Sequence, residues 1–282
     1  MLEHVKPGSV LFGYITGGHN LNKFNECLHE LRDMDAQNLK LLNSLGSATG
    51  PFHEDNRNKV VDMAMARPRV EYLVWVDTDI EFKPVDIYSL LYAANDTDHR
   101  IVAGLYFGKP GWSDKWWPQW YEFNEIDEFT IVDKLDGRPL QRIDGAGMGI
   151  CVMHMSVFRE FPEVDHNWRW FGRDPWTVDG KIERFGEDLT FFLRCNRRCY
   201  PGYERWSNLP PKKIEVWGHR GVAVKHHKEQ AIGVEEYLAQ GTVTRMRASE
   251  GQAAEAPGLR VVGGNGDGGP EPAVSPGRVI KP

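Results

Sequence analysis

Four short apolar runs separated by three stretches of helical period constrain this chain more than any other feature. "SVLFGYI", from Ser9, reads as a strand buried on both faces, and "TGGHN" closes it as a turn. Leu21, Phe24, Leu28 and Leu31 then recur at the spacing of one helix face. "LKLLNSL" fits either a strand or a helix. "EDNRNKVVDMAMA" is helical, with acids in its first turn and Pro68 beyond its end. Tyr72 to Val76 is a third apolar strand. Pro84 opens a helix lined by Ile87, Leu90, Leu91 and Ala94, and "RIVAGLYF" supplies the fourth strand. This β-α-β-α-β-α-β order implies an α/β fold with a mainly parallel sheet covered by helices. Ligands of such sheets bind beyond the carboxyl ends of the strands.

The pattern changes after residue 108. "GKPGWSDKWWPQWYEF" has no usable period, and "FTIVDKLDGRPLQRIDGAG" predicts a hairpin turning at Asp136 and Gly137. "GICVMHMSVF" reads as a buried strand running into a helix start, and "RFGEDLTFFLRCNRRC" as a helix with Leu189, Phe192 and Leu193 inward. "IEVWGHRGVAVKHHK" predicts two short strands around an Arg-Gly turn. From Ala248 the last 35 residues hold eight Gly and five Pro, too little apolar surface to offset the entropy of ordering. The expected division is a folded domain over 1–247 and a flexible Gly/Pro-rich tail over 248–282.

Composition narrows the function. With 40 acids against 34 bases and a net charge of −6, general nucleic-acid binding is disfavoured. No apolar run is long enough for a membrane span, and the start lacks signal-peptide architecture. Four cysteines without framework spacing fit a reducing, cytoplasmic setting. Cys195 and Cys199 lie one helical turn apart, but no second pair completes a metal site.

Four motifs carry chemistry. Asp77 and Asp79 follow the buried run Tyr72 to Val76, where a carboxylate is costly unless cations or hydrogen bonds compensate it. One residue apart in extended backbone, they share a face. The bland alternative is a solvated turn. "DGAGMGICVM" places Gly145, Gly147 and Gly149 before a strand, where glycine permits close backbone approach; a plain flexible turn explains it equally. "GEDLTFF" puts Glu187 and Asp188 at a helix start, which the helix dipole alone would favour. In "VAVKHHK" strand alternation sends His226 and His227 to opposite faces, so only one can serve a given site.

In this order and spacing the four motifs resemble GT-A fold glycosyltransferases, particularly bacterial and phage family 2-like enzymes, over roughly residues 8 to 230. The resemblance implies a GT-A, Rossmann-like sheet flanked by helices, with a small additional β element, forming a catalytic domain over 1–247. It implies a nucleoside-diphosphate-sugar donor, with UDP the family's usual choice. Asp79 and His226 would hold Mn²⁺ or Mg²⁺, the imidazole favouring Mn²⁺. Asp77 and Thr78 would contact the sugar nucleotide, and Gly145 and Gly147 would face the donor sugar. Asp188, paired with Glu187, would be the base of an inverting reaction. Arg57 and Asn58 match an Arg-Asn near the nucleotide, and Thr16 and Gly17 fall where the nucleotide pocket begins. Trp112, Trp116, Trp117 and Trp120 lie in a region that faces the acceptor in the family, or else form a hydrophobic plug. The acceptor, whether glycan, protein or lipid, is left open. The first-strand loop lacks the Pro-x-Tyr-Asn pattern common in the family, and no acid that would recognise the base stands out. A nucleotidyltransferase, or a non-catalytic sugar-nucleotide or glycan-binding module of the same fold, remains the alternative. A dehalogenase-type phosphatase is disfavoured because its D-x-D would stand near the N-terminus.

Overall fold

The computed structural model describes residues 2–16, 22–109, 115–123, 129–132, 137–161, 169–173, 175–178, 181–196, 212–227 and 231–232. The first half follows the apolar pattern closely. Strand β1 (Val10–Thr16) leads to α1 (Asn22–Gln37), β2 (Leu42–Thr49), α2 (His53–Met65) and β3 (Tyr72–Val76). A two-residue strand β4 (Ile80–Glu81), α3 (Pro84–Ala93) and β5 (Ile101–Leu105) follow. "LKLLNSL" resolves as strand, its register running parallel to β1.

Six short pieces come next: β6 (Phe107–Gly108), β7 (Trp117–Pro118), β8 (Trp120–Phe123), β9 (Phe129–Ile131), β10 (Leu140–Ile143) and β11 (Gly145–Ala146). Then come β12 (Ile150–His154), α4 (Ser156–Arg159), β13 (Pro175–Val178), β14 (Lys181–Arg184) and α5 (Glu187–Cys195). Last are β15 (Val216–Ala223), β16 (Lys225–His227) and β17 (Ala231–Ile232).

Seven strands form the central sheet in the order β10-β15-β5-β12-β3-β1-β2. β2, β1, β3, β5 and β15 share one direction, while β12 and β10 oppose it. The sheet is therefore mixed but mainly parallel, and the fold is α/β with helices on both faces. Alternation within β3 explains the two layers. Leu73 and Trp75 pack on one side with Val60, Val61 and Ala64 of α2 and with Phe191 of α5. Tyr72, Val74 and Val76 face Phe24, Leu28 and Leu31 of α1 and Ile87, Leu90 and Leu91 of α3. All five β3 residues are buried, as a strand covered on both faces requires.

Three expectations change. The segments around Asp136 and Gly137 do not pair with each other: β9 joins β8 in a small sheet, while β10 joins β15 in the main one. Asp136 itself lies outside the described residues. Arg220-Gly221 is no turn either; β15 runs through it, with a register shift between His219 and Ala223. Asp77 and Asp79 do not continue β3 in extended form. The Ile80 amide donates to the Asp77 carbonyl at 3.1 Å, so the pair sits in a turn. The tail expected over 248–282 lies outside the described residues.

Candidate functional site

The turn after β3 is pinned by its neighbour. The Asp77 amide donates to the Gly149 carbonyl at 2.9 Å, tying the D-x-D to the start of β12. From there the two carboxylates diverge to different partners.

Asp77 turns toward α2. Arg57, buried in that helix, brings Nη2 to 3.3 Å from Asp77 Oδ1 and Nε to 3.1 Å from Glu187 Oε1. The guanidinium carbon stands 4.8 Å from the centre of the Trp75 ring, and Trp75 Nε1 donates to Asp77 at 3.2 Å. One cation thus joins the D-x-D to the start of α5. Burial works against the charge on Arg57, but Asp77 and Glu187 outweigh it and raise its pKa further. Burial also works against Glu187, and Arg57 more than offsets it, so that carboxyl sits below its ordinary value. Asp77 is pushed up, first by burial and then, against the pull of Arg57, by Asp79.

Asp188, beside Glu187, behaves differently. A helix N-terminus alone would keep it strongly acidic, but burial and then the charge of Glu187 push its pKa up to about 6. Its Oδ1 folds back to accept the Leu189 amide at 2.7 Å. Neighbouring residues on one helix turn therefore carry unlike carboxyls, one locked to a cation and one able to exchange a proton near neutrality.

Asp79 turns toward β16. His226 Nε2 lies 3.1 Å from Asp79 Oδ2, and His226 Nδ1 lies 2.8 Å from the Phe107 carbonyl. A carbonyl can only accept, so Nδ1 carries a proton and Nε2 faces the carboxylate with either a second proton or a lone pair. Asp79 and His226, 3.1 Å apart, are the residues that would hold a divalent cation, which would supply positive charge at this end of the site. Among the described residues no group of three or more His, Cys, Asp or Glu side chains gathers around one point. A cation held here would take its remaining ligands from substrate oxygens and water. His227, as alternation predicts, faces the other way, 2.7 Å from Glu81.

Tyr106 links the two halves, and its only signal in the sequence is an aromatic at a strand end. Its hydroxyl accepts the Gly149 amide at 3.2 Å, and its ring meets the edge of His226 at 5.3 Å between centres. Burial, then Asp77 and Asp188, raise its pKa well above the ordinary value. A Cβ on Gly147 would fall 2.0 Å from the Tyr106 hydroxyl, and one on Gly149 2.6 Å from its ring. These glycines make room for the protein's own tyrosine.

The other expected residues distribute as follows. Gly145 abuts Phe192 of α5, where a Cβ would lie at 3.1 Å. Thr16 ends β1 beside Thr49, and Thr78 lies in the D-x-D turn. Asn58 is turned from the cluster: its Nδ2 donates to the Phe171 carbonyl at 2.9 Å and its Oδ1 accepts the Phe171 amide at 3.1 Å. Gly17 and Trp112 lie outside the described residues. Trp117 and Trp120 do not offer a face to an acceptor. Both are buried in the protein, and Trp120 Nε1 donates to the Gly104 carbonyl at 3.0 Å. Trp116 packs, partly buried, against the same core. Burial of Trp117 and Trp120 fits the plug arrangement, because aromatic surface of this size is stabilised more by the core than by water.

No family model and no curated protein sequence matches the chain. Among solved structures, it is similar to A197 from STIV, with 13% identity and a TM-score of 0.51 over 80% of this chain and 91% of that one. A glycosyltransferase involved in glycosylation of the major capsid of PBCV-1 matches with 11% identity and a TM-score of 0.30, over 53% of this chain and 61% of that one. GalNAc-T7, solved with UDP, GalNAc and Mn²⁺, matches with 9% identity and a TM-score of 0.40, over 75% of this chain and 44% of that one. The last two likenesses are too slight to transfer any property. What the chain shares with A197 is the fold, and its mixed seven-stranded sheet between helices is consistent with a GT-A-like architecture.

Proposed function

We propose that this chain is a metal-dependent glycosyltransferase that moves a sugar from a nucleoside-diphosphate donor to an acceptor hydroxyl. The observation that carries the reading is the Arg57 bridge, which gathers the D-x-D and the Glu187-Asp188 pair at the carboxyl ends of the strands. Around that one guanidinium stand the carboxyl groups of Asp77, Glu187 and Asp188, with Asp79 beyond Asp77 and facing His226, so the site has acid in excess and suits a cation. Asp79 and His226 would hold it, and a divalent ion there would offset the charge of the diphosphate leaving group. Asp77 and Thr78 face the nucleotide sugar in this reading, with Thr16 and Gly17 at the pocket's start and UDP as the expected nucleotide.

Asp188 is the base. With a pKa of about 6 it is ionised at neutral pH yet basic enough to take the acceptor's proton as attack proceeds. Glu187 keeps its charge beside Arg57 and positions the bridge. Tyr106 holds the glycine turn against the imidazole side of the site.

The test is a panel of sugar nucleotides incubated with Mn²⁺, with released nucleoside diphosphate as the readout. Slow donor hydrolysis, lost in chelator and in Asp79→Ala and reduced less in His226→Ala, is the expected result. Full activity of chelator-treated protein sinks the metal assignment, and no turnover of any donor sinks the reading.

A further inference from the structure

Trp117 and Trp120 are built into the core and present no stacking face to an acceptor. A cleft of about 760 Å³ opens between the first turns of α2 and the segment 169–173. That volume is within the usual range of small-ligand sites, about 300–1,000 Å³. It lies beside the cluster described above, on the neighbouring face of α2. His53, between the cleft residues Phe52 and Glu54, has Nδ1 3.9 Å from Glu187 Oε1, and Asn58 follows Arg57 directly.

The wall is fixed. Asn58 grips both the amide and the carbonyl of Phe171, and two ion pairs cross between the sides, Arg169 with Asp62 and Arg173 with Glu54. At the mouth the Phe52 ring is 57% exposed, an unusual place for an aromatic face with no shielding. Three carboxylates and three cationic side chains line the cleft, so it carries no net charge. A phosphorylated or otherwise anionic ligand gains nothing from such a lining. A polyhydroxyl ligand does: Asp55 and Lys59, outside those two ion pairs, offer an acceptor and donors to its hydroxyls, and an aromatic face stacks on the apolar side of a sugar ring.

We propose that this cleft is the acceptor site and that the acceptor is a neutral glycan. Its role as an acceptor rests on the glycosyltransferase reading; its binding of glycan does not. The test is calorimetric titration of the full chain with neutral disaccharides and oligosaccharides (glucose-, galactose- and N-acetylglucosamine-based), without donor. At least one should bind, Phe52→Ala should weaken it tenfold or more, and Phe52→Tyr, which keeps the ring face, should restore it. Tyr92→Ala, an equally exposed aromatic on α3, should leave binding unchanged. Phe52 is exposed, so unaltered melting of Phe52→Ala separates lost binding from lost folding. The proposal is overturned if no neutral glycan binds at millimolar concentration. It is overturned equally if Phe52→Ala binds as wild type, or if only lipid phosphates or other anionic acceptors bind. Glycan binding in a protein that turns over no donor would leave the cleft standing and remove the transferase reading instead.

Discussion

Asp188 and Glu187 are adjacent, chemically near-identical, and differ in what stands beside them. Arg57 takes Glu187 as a partner, and Asp188 is left to burial and to the charge of its neighbour. Asp188→Asn keeps shape and removes basicity. Transfer should fall by about 10²–10⁴-fold with donor affinity near wild type, measured by single-turnover kinetics and nucleotide titration. In the wild type, kcat/KM should rise with pH through about 6 as Asp188 ionises. Stability should move the other way. A carboxyl whose pKa is raised from 3.8 to about 6 holds its proton more tightly when folded, so its contribution is complete below 3.8 and is lost as pH climbs through 6. The difference in melting temperature between wild type and Asp188→Asn, followed from pH 4 to 7, isolates that term; a flat difference would refute it. Arg57→Lys should be damaging despite keeping the charge, because an ammonium lacks the planar fork that reaches Glu187 through Nε and Asp77 through Nη2 while lying over Trp75. Breaking a buried pair costs about 3–5 kcal/mol, readable as a shift in urea midpoint.

At the scale of elements, legibility followed burial. The apolar runs of β1, β3, β5 and β12 and the helical faces of α1, α2 and α3 were readable because each must hide a periodic surface. The short strands were not. Asp136-Gly137 suggests a hairpin, but β9 pairs with β8 and β10 with β15, partners distant in the sequence that no local signal names. The glycine turn shows the same limit at the site. Its Gly-x-Gly spacing signalled a close approach without saying by what, and the close neighbour is Tyr106, distant in sequence. Trp117 and Trp120 were ambiguous between surface and core for the same reason, since no period in their segment fixes a face. Gly147→Ala should therefore destabilise the fold itself, by about 1–3 kcal/mol through overpacking against Tyr106, and the pairing of Gly147→Ala with Tyr106→Phe should be non-additive in chemical denaturation. If Gly147→Ala melts as wild type and loses only donor binding, the turn serves the ligand alone.

On the scale of the whole molecule, the sheet is not assembled in the order it is written. β12 is wedged antiparallel between β3 and β5, so Val152 pairs with Val74 on one side and Val102 on the other. Until Ile150–His154 is synthesised, the β2-β1-β3 half and β5 have no connection through the centre of the sheet, and each offers a fully apolar, unpaired edge. Folding must wait for a strand that arrives late, and long-range pairing of this kind is slow. A fragment ending at residue 149 should stay unfolded or aggregate, whereas adding β12 in trans as a soluble peptide should raise its recovery from refolding; equal recovery with and without the peptide would count against this. The glycine turn that leads into this strand also anchors the D-x-D, so the acidic cluster cannot form on a nascent chain before the middle of its sheet has been made.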